Sequence, residues 1–139
     1  MTTKERQPIV LDTNIVLDVF VFNDVAAQPL KVALDAGALD WIATQAMRDE
    51  LARVLAYPQI MPRLAFYQMT AEHVLAQFDR HTRLLAVAVK ARLTCSDPDD
   101  QKFIDLAVAG QALLLSKDRH LLSMSKRLIA YGVRAQAAI

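Results

Sequence analysis

Short apolar runs closed by polar residues alternate with longer stretches of helical spacing along this chain of 139 residues. The first run, Ile9-Val10-Leu11, stops at Asp12-Thr13-Asn14, the pattern of a buried strand in a parallel sheet. Ile15 to Phe22 then reads as a helix ending near Asn23-Asp24, and Leu30, Val32, Ala33 and Leu34 predict a second helix stopped by Gly37. Leu39 to Ala43, with Trp41 and Ile42, predicts a second buried strand. Thr44 caps a helix that runs to Tyr57, where Pro58 stops it. Residues 59–68 lack clear periodicity and read as a turn plus a short helix. Thr70 to about Leu85 reads as one long amphipathic helix, with Val74, Phe78 and Leu85 inward and Arg80 and Arg83 outward. Val87 to Leu93 predicts a third strand. Asp97 and Pro98 open a helix as N-cap and first helical residue, with Phe103, Ile104 and Ala107 on its inner face. Ala112 to Leu115 is a buried strand, a short helix carries Leu121 and Leu122, and Val133 to Ile139 supplies an edge strand. This alternation predicts an α/β fold over residues 1–139 as one domain, a three-layer α/β/α sandwich around a mostly parallel sheet.

Composition narrows the partners more than the fold. A hydrophobic content of 54% supports a compact core. A formal charge of +1 excludes a protein that coats nucleic acid by bulk charge, while leaving room for a local basic strip. The single cysteine, Cys95, cannot form an internal disulfide and fits a reducing cytoplasm. Met1 to Gln7 holds charge without an apolar run, so no signal peptide is expected, and no stretch is long and apolar enough for a membrane span.

Candidate chemistry lies in the acids. Asp12 and Asp118 follow buried strands. Glu50 falls inside the apolar stripe of Met47, Leu51, Val54 and Leu55, whereas Asp49 points off that face and is placed to pair with Arg53. Asp100 precedes Phe103 on the inner face of its helix. In a right-handed parallel sheet, strand C-termini and the helix N-termini after them share one edge, so all four acids can meet there. Such a cluster repels itself unless a cation joins it. Oxygen-only ligands suit Mg²⁺ or Mn²⁺, and such ions support phosphodiester hydrolysis. Ordinary readings stand beside these: Asp12 and Asp118 as helix caps, and Asp100 closing a capping box opened by Asp97. No cap accounts for Glu50.

Ile9-Val10-Leu11-Asp12-Thr13-Asn14 resembles the first motif of PIN-domain ribonucleases, and Met47-Arg48-Asp49-Glu50-Leu51 resembles the second. Asp97-Pro98-Asp99-Asp100-Gln101-Lys102-Phe103 and Ser116-Lys117-Asp118 resemble the third and fourth, with a similar interval between Asp100 and Asp118. The Asp-Pro-Asp-Asp form is similar to the bacterial branch described as toxins of toxin–antitoxin pairs. The resemblance implies a Mg²⁺- or Mn²⁺-dependent endoribonuclease with an RNA substrate and a cognate antitoxin protein. Asp12, Glu50, Asp100 and Asp118 would hold metal and activate water. Asn14 would support them by hydrogen bonding, Ser116 stands where the family commonly has Thr or Ser, and Asp97 would lie behind the ligands. Asp99 competes with Asp100 for the ligand position. The family often forms dimers, and the apolar helices offer an interface for a homodimer.

RNA contacts are marked less clearly. Beyond Ser116 the chain carries Lys117, Arg119, Lys126, Arg127 and Arg134 against one acid, Asp118, and a basic rim suits an entering phosphate backbone. Arg48, Lys102, Lys117 and Arg119 lie nearest the motifs, with pairing to Asp118 as the competing use of Lys117. His73, His81 and His120 show no ligand spacing, Cys95 reads as a small buried residue, and Trp41 and the phenylalanines read as core. A catalytically degenerate module that binds RNA or a protein is the main rival function. A phosphoaspartate switch lacks an acceptor at Trp41-Ile42-Ala43-Thr44, and a haloacid-dehalogenase-like phosphatase would want Asp where Asn14 stands.

Overall fold

The structure, a computed structural model, describes residues 6–139; most of the Met1–Gln7 stretch read above for a signal peptide lies outside them. Five parallel strands run β1 (Gln7–Leu11), β2 (Leu39–Thr44), β3 (Thr82–Leu85), β4 (Leu113–Leu115) and β5 (Ala135–Gln136). They pair in the order β3-β2-β1-β4-β5. Ile9 sits opposite Trp41 on one side and Leu113 on the other, and Leu11 lies opposite Leu115. The chain therefore builds outward from β1 through β2 and β3, then returns to β1's other side to add β4 and β5. That reversal makes the C-terminal ends of β1 and β4 a topological switch point, where open α/β sheets place their ligands.

Helices flank the sheet: α1 (Thr13–Phe20), α2 (Gln28–Asp35), α3 (Gln45–Leu55), α4 (Met61–Phe66), α5 (Ala71–His81), α6 (Gln101–Gly110), α7 (Arg119–Leu122) and α8 (Ser125–Ile129). Their ends follow from local chemistry. The Asp12 carboxylate accepts the Ile15 N–H at 3.1 Å to start α1, and the Thr70 hydroxyl accepts the His73 N–H at 3.1 Å to start α5. Beyond α2, Gly37 takes φ +70°, a conformation open to glycine without strain. At the end of α6, a Cβ on Gly110 would stand 2.8 Å from the Ile42 side chain, so glycine lets this helix approach β2. Trp41, Ile42, Leu51, Phe103, Ile104 and Leu114 are among the largest fully buried side chains. Trp41 meets Phe78 edge-on at 5.1 Å, a pairing worth about 0.5–1.5 kcal/mol beyond its buried area.

Two elements depart from the sequence reading. The helix expected to reach Leu85 stops at His81, and the third strand is Thr82–Leu85 rather than Val87–Leu93. Thr82 explains the stop: its hydroxyl donates to the Phe78 carbonyl at 2.8 Å and its backbone turns extended. From there Thr82 to Leu85 pairs in register with Trp41 to Thr44, and Arg83 clamps Asp40 of β2 through two hydrogen bonds. The alternation in Val87–Leu93 is real but not a ladder. Val87 and Val89 are 82% and 83% exposed, while Ala88 and Leu93 pack on the core from an extended strap. Among smaller differences, Asp49 accepts from Gln45 at 2.9 Å instead of pairing with Arg53. Thr44 precedes α3 without a side-chain cap bond. The phenylalanines are not all core either, since Phe66 is 79% exposed.

Candidate active site

Strand β1 delivers Asp12 to the switch point, and β4 delivers Ser116 beside it. The Asp12 N–H donates to the Leu115 carbonyl at 3.1 Å, extending the β1–β4 ladder to the acid itself. Asp12 is only 4% exposed and Ser116 is fully buried. One Asp12 oxygen caps α1, and the other accepts a hydrogen bond from the Ser116 hydroxyl. That same hydroxyl oxygen accepts the Asp118 N–H at 2.9 Å, so Ser116 ties the two acidic loops together. Asp118 then caps α7 by accepting the His120 N–H at 2.7 Å. The ordinary capping readings of Asp12 and Asp118 are thus met in geometry, and both residues also line the cleft.

That cleft has a volume of about 170 Å³ and is lined by Asp12, Thr13, Asn14, Glu50, Val54, Asp100, Phe103 and Asp118. All four acids singled out from the sequence contribute to its wall. Asp97 and Asp99 do not: Asp97 caps the turn Pro98–Asp100 by accepting the Asp99 N–H at 3.0 Å, and Asp99 is exposed. Between the neighbours Asp99 and Asp100, the second is the one aimed inward. Its Oδ2 is buried and has no hydrogen-bond partner.

Electrostatics mark two of these acids, Asp100 and Asp12. The Asp100 carboxyl is pushed up to about 6, first by burial and then by the negative charges of Asp118, Asp97 and Asp12, with Lys102 opposing. Burial also holds Asp12 above the usual carboxylate range, against the lowering effect of the Ser116 hydroxyl and the Ile15 N–H. Crowded acids with a missing partner are what a hard divalent cation would relieve. The donor chemistry of Asp12, Asp100 and Asp118 fits such an ion. Their present spacing is not closed around one: among the described residues, no group of three acids, imidazoles or thiols is arranged to hold a metal as it stands.

Glu50 is already engaged. One of its oxygens accepts from the Thr13 hydroxyl and the other from Lys102 Nζ at 2.8 Å. Lys102 also donates to the Asp99 carbonyl at 2.5 Å, which pins it across the cleft's rim. The remaining basic residues lie elsewhere. Arg48 makes a two-pronged pair with Asp79 of α5, at 2.7 and 2.9 Å, outside the lining of the cleft. Lys117 pairs with Asp18 at 2.5 Å, not with Asp118. Arg119 is exposed on α7.

Sequence reasoning passed over Thr13 and Asp18. Nothing local links Thr13 to an acid on another helix, so only the fold could reveal that bond. Asp18 did leave a signal: it is an acid inside the buried run from Ile15 to Phe20, the same anomaly that drew notice to Glu50.

Residues 8–120 match the PIN domain. This chain belongs to the PIN domain family. PIN domains are typically nucleases that use divalent ions, so membership sets the coarse class of this chain as a hydrolase of nucleic-acid phosphodiesters, with RNA as the expected partner. The four motif segments quoted from the sequence all fall within the matched region. No curated protein matches the chain. No helix among the described residues is long and apolar enough to cross a membrane.

Proposed function

We propose that this PIN domain is a Mg²⁺- or Mn²⁺-dependent endoribonuclease acting on single-stranded RNA. The observation that carries the reading is the buried, unpartnered Asp100 oxygen in a cleft it shares with Asp12 and Asp118. Asp12, Asp100 and Asp118 would hold the ion, with Glu50 as the fourth acid once Lys102 releases it. The bound ion would supply charge neutralisation and an activated water for in-line attack on phosphorus. The chain's own residues prepare that ground. Ser116 holds one Asp12 oxygen in place while the Ile15 N–H holds the other, leaving the carboxylate a single orientation. Thr13 aims Glu50 from the opposite wall. Lys102 neutralises Glu50 in the resting cleft and stands where it can meet an arriving phosphate oxygen instead. Asn14, exposed at the mouth, offers an amide to the strand as it enters.

The Asp-Pro-Asp-Asp segment supports a narrower role as the toxin of a toxin–antitoxin pair, acting in the cytoplasm and silenced by an antitoxin protein. A second reading, a module that binds RNA or protein without cutting, draws on the Lys102–Glu50 pair and the open spacing of the acids. One assay separates them. Purified protein is incubated with a generic single-stranded RNA in Mn²⁺ or Mg²⁺, in EDTA, and as the Asp12→Asn variant. Cleavage only by wild type with the ion supports the nuclease. Equal cleavage by Asp12→Asn refutes it, and binding without cleavage selects the module. Asparagine retains the capping oxygen, so loss of cleavage would not reflect a lost helix start.

A further inference from the structure

A larger recess adjoins the acidic cleft and shares Asn14 with it as a common wall. It has a volume of about 350 Å³ and is lined by Asn14, Asp18, Phe22, Asp24, Arg63 and Lys117. Arg63 sits on the short helix α4 with its guanidinium 3.7 Å from the centre of the Phe22 ring. Tyr67 backs the same ring at 6.0 Å. Arg63 is exposed, and among the described residues its guanidinium makes no hydrogen bond or ion pair. The guanidinium is therefore seated over an aromatic ring while its donors stay free. Lys117 and Asp18 neutralise each other across the recess, so Arg63 is the cation with unspent charge there.

Geometry, size and chemistry converge on one occupant. Unstacked bases of single-stranded RNA bind by stacking on aromatic rings and guanidinium planes, and by hydrogen bonds to their edges. A recess of this volume lies at the lower end of ordinary small-ligand sites. Lys117 is the chain neighbour of Asp118, so a strand leaving the acidic cleft past Asn14 would reach Arg63 next. We propose that this recess is a nucleotide subsite, in which the base beside the cleaved phosphodiester stacks on the Arg63–Phe22 pair. The proposal rests on the ribonuclease reading for the position of the cleaved bond. It goes beyond that reading in assigning base stacking to Arg63 and Phe22, which lie outside the family motifs.

The test measures binding apart from chemistry. A fluorescein-labelled oligoribonucleotide is titrated by anisotropy with the full chain carrying Asp100→Asn, in EDTA and at fixed salt, with and without Arg63→Ala or Arg63→Lys. Loss of one stacked base should weaken binding about tenfold in Arg63→Ala. Arg63→Lys should recover only a minor part, because it restores charge without the plane. Oligonucleotides scanned with an abasic spacer should show one position whose removal costs the same factor, and that penalty should vanish in Arg63→Ala. Thermal melting of each variant checks that α4 remains folded. In cleavage by the otherwise wild-type chain, Arg63→Ala should raise KM with little change in kcat. If RNA is bound and cut equally well with Arg63→Ala, or if Arg63→Lys restores full affinity, the subsite is wrong and the nuclease stands. If the Asp100→Asn chain binds no RNA and wild type cuts none, both fall together.

Discussion

Replacing Asp100 with asparagine should make the ligand-free protein more stable at alkaline pH, although it removes a carboxylate from the cleft. Asp100 titrates near 6 in the folded chain against an ordinary value of 3.8. A raised folded pKa favours the native state fully below the unfolded value, and that contribution is lost as pH climbs through the folded value. That rise from 3.8 to about 6 corresponds at most to about 3 kcal/mol. Asp100 is only partly buried, so solvent screening brings the expected cost of ionising it down to about 1–2 kcal/mol. The asparagine variant escapes that cost. For a chain of this size it should melt about 3–8 °C higher than wild type at pH 8 in EDTA, and the gap should narrow as pH falls through 6 and close only below the ordinary value of 3.8. Calorimetry at several pH values gives both numbers. Adding Mn²⁺ should then raise the wild-type melting temperature more than the variant's, because binding to the native state stabilises it. A variant that melts below wild type at pH 8, or a gap that does not change with pH, would refute the picture of an unrelieved acid cluster.

Two further outcomes test the same wall of the cleft. Ser116→Ala removes a fully buried hydroxyl that both donates to Asp12 and accepts from the Asp118 N–H, so urea unfolding should show a loss of about 1–3 kcal/mol; a loss within about 0.5 kcal/mol would mean these bonds hold little together. Lys102→Met frees one Glu50 oxygen and removes a competing positive charge, so calorimetric titration should find Mn²⁺ bound several-fold tighter; weaker binding would mean that Lys102 organises the acids rather than displacing an ion from them.

How far the residue pattern carried depended on whether an element is decided locally. β1, β2 and β4 were readable because a fully buried parallel strand must be apolar on both faces, as Ile9 to Leu11, Trp41 to Ala43 and Leu113 to Leu115 are. The β3 segment was misplaced because Thr82-Arg83-Leu84-Leu85 continues the helical spacing of Phe78 and is only partly buried at the sheet edge. Its strand state is decided by pairing with Trp41 to Thr44 and by Arg83 on Asp40, contacts that local spacing cannot express. Among the acids, Glu50 stood out because a charge in an apolar stripe needs a partner. Which partner it takes, Thr13 and Lys102, was hidden by the distance between them along the chain.

The order of apolar runs, caps and acids was enough to determine an α/β chain with its carboxylates on strand and helix ends at one edge of the sheet. That much follows from the two backbone periodicities and the handedness of parallel crossovers. Tertiary structure alone decided that Asp100 rather than Asp99 faces inward, that Lys117 is spent on Asp18, and that Arg63 lies on Phe22 beside the cleft. These are choices among neighbours brought close by packing, and a side chain's partner depends on distance through space, which position in the chain does not encode.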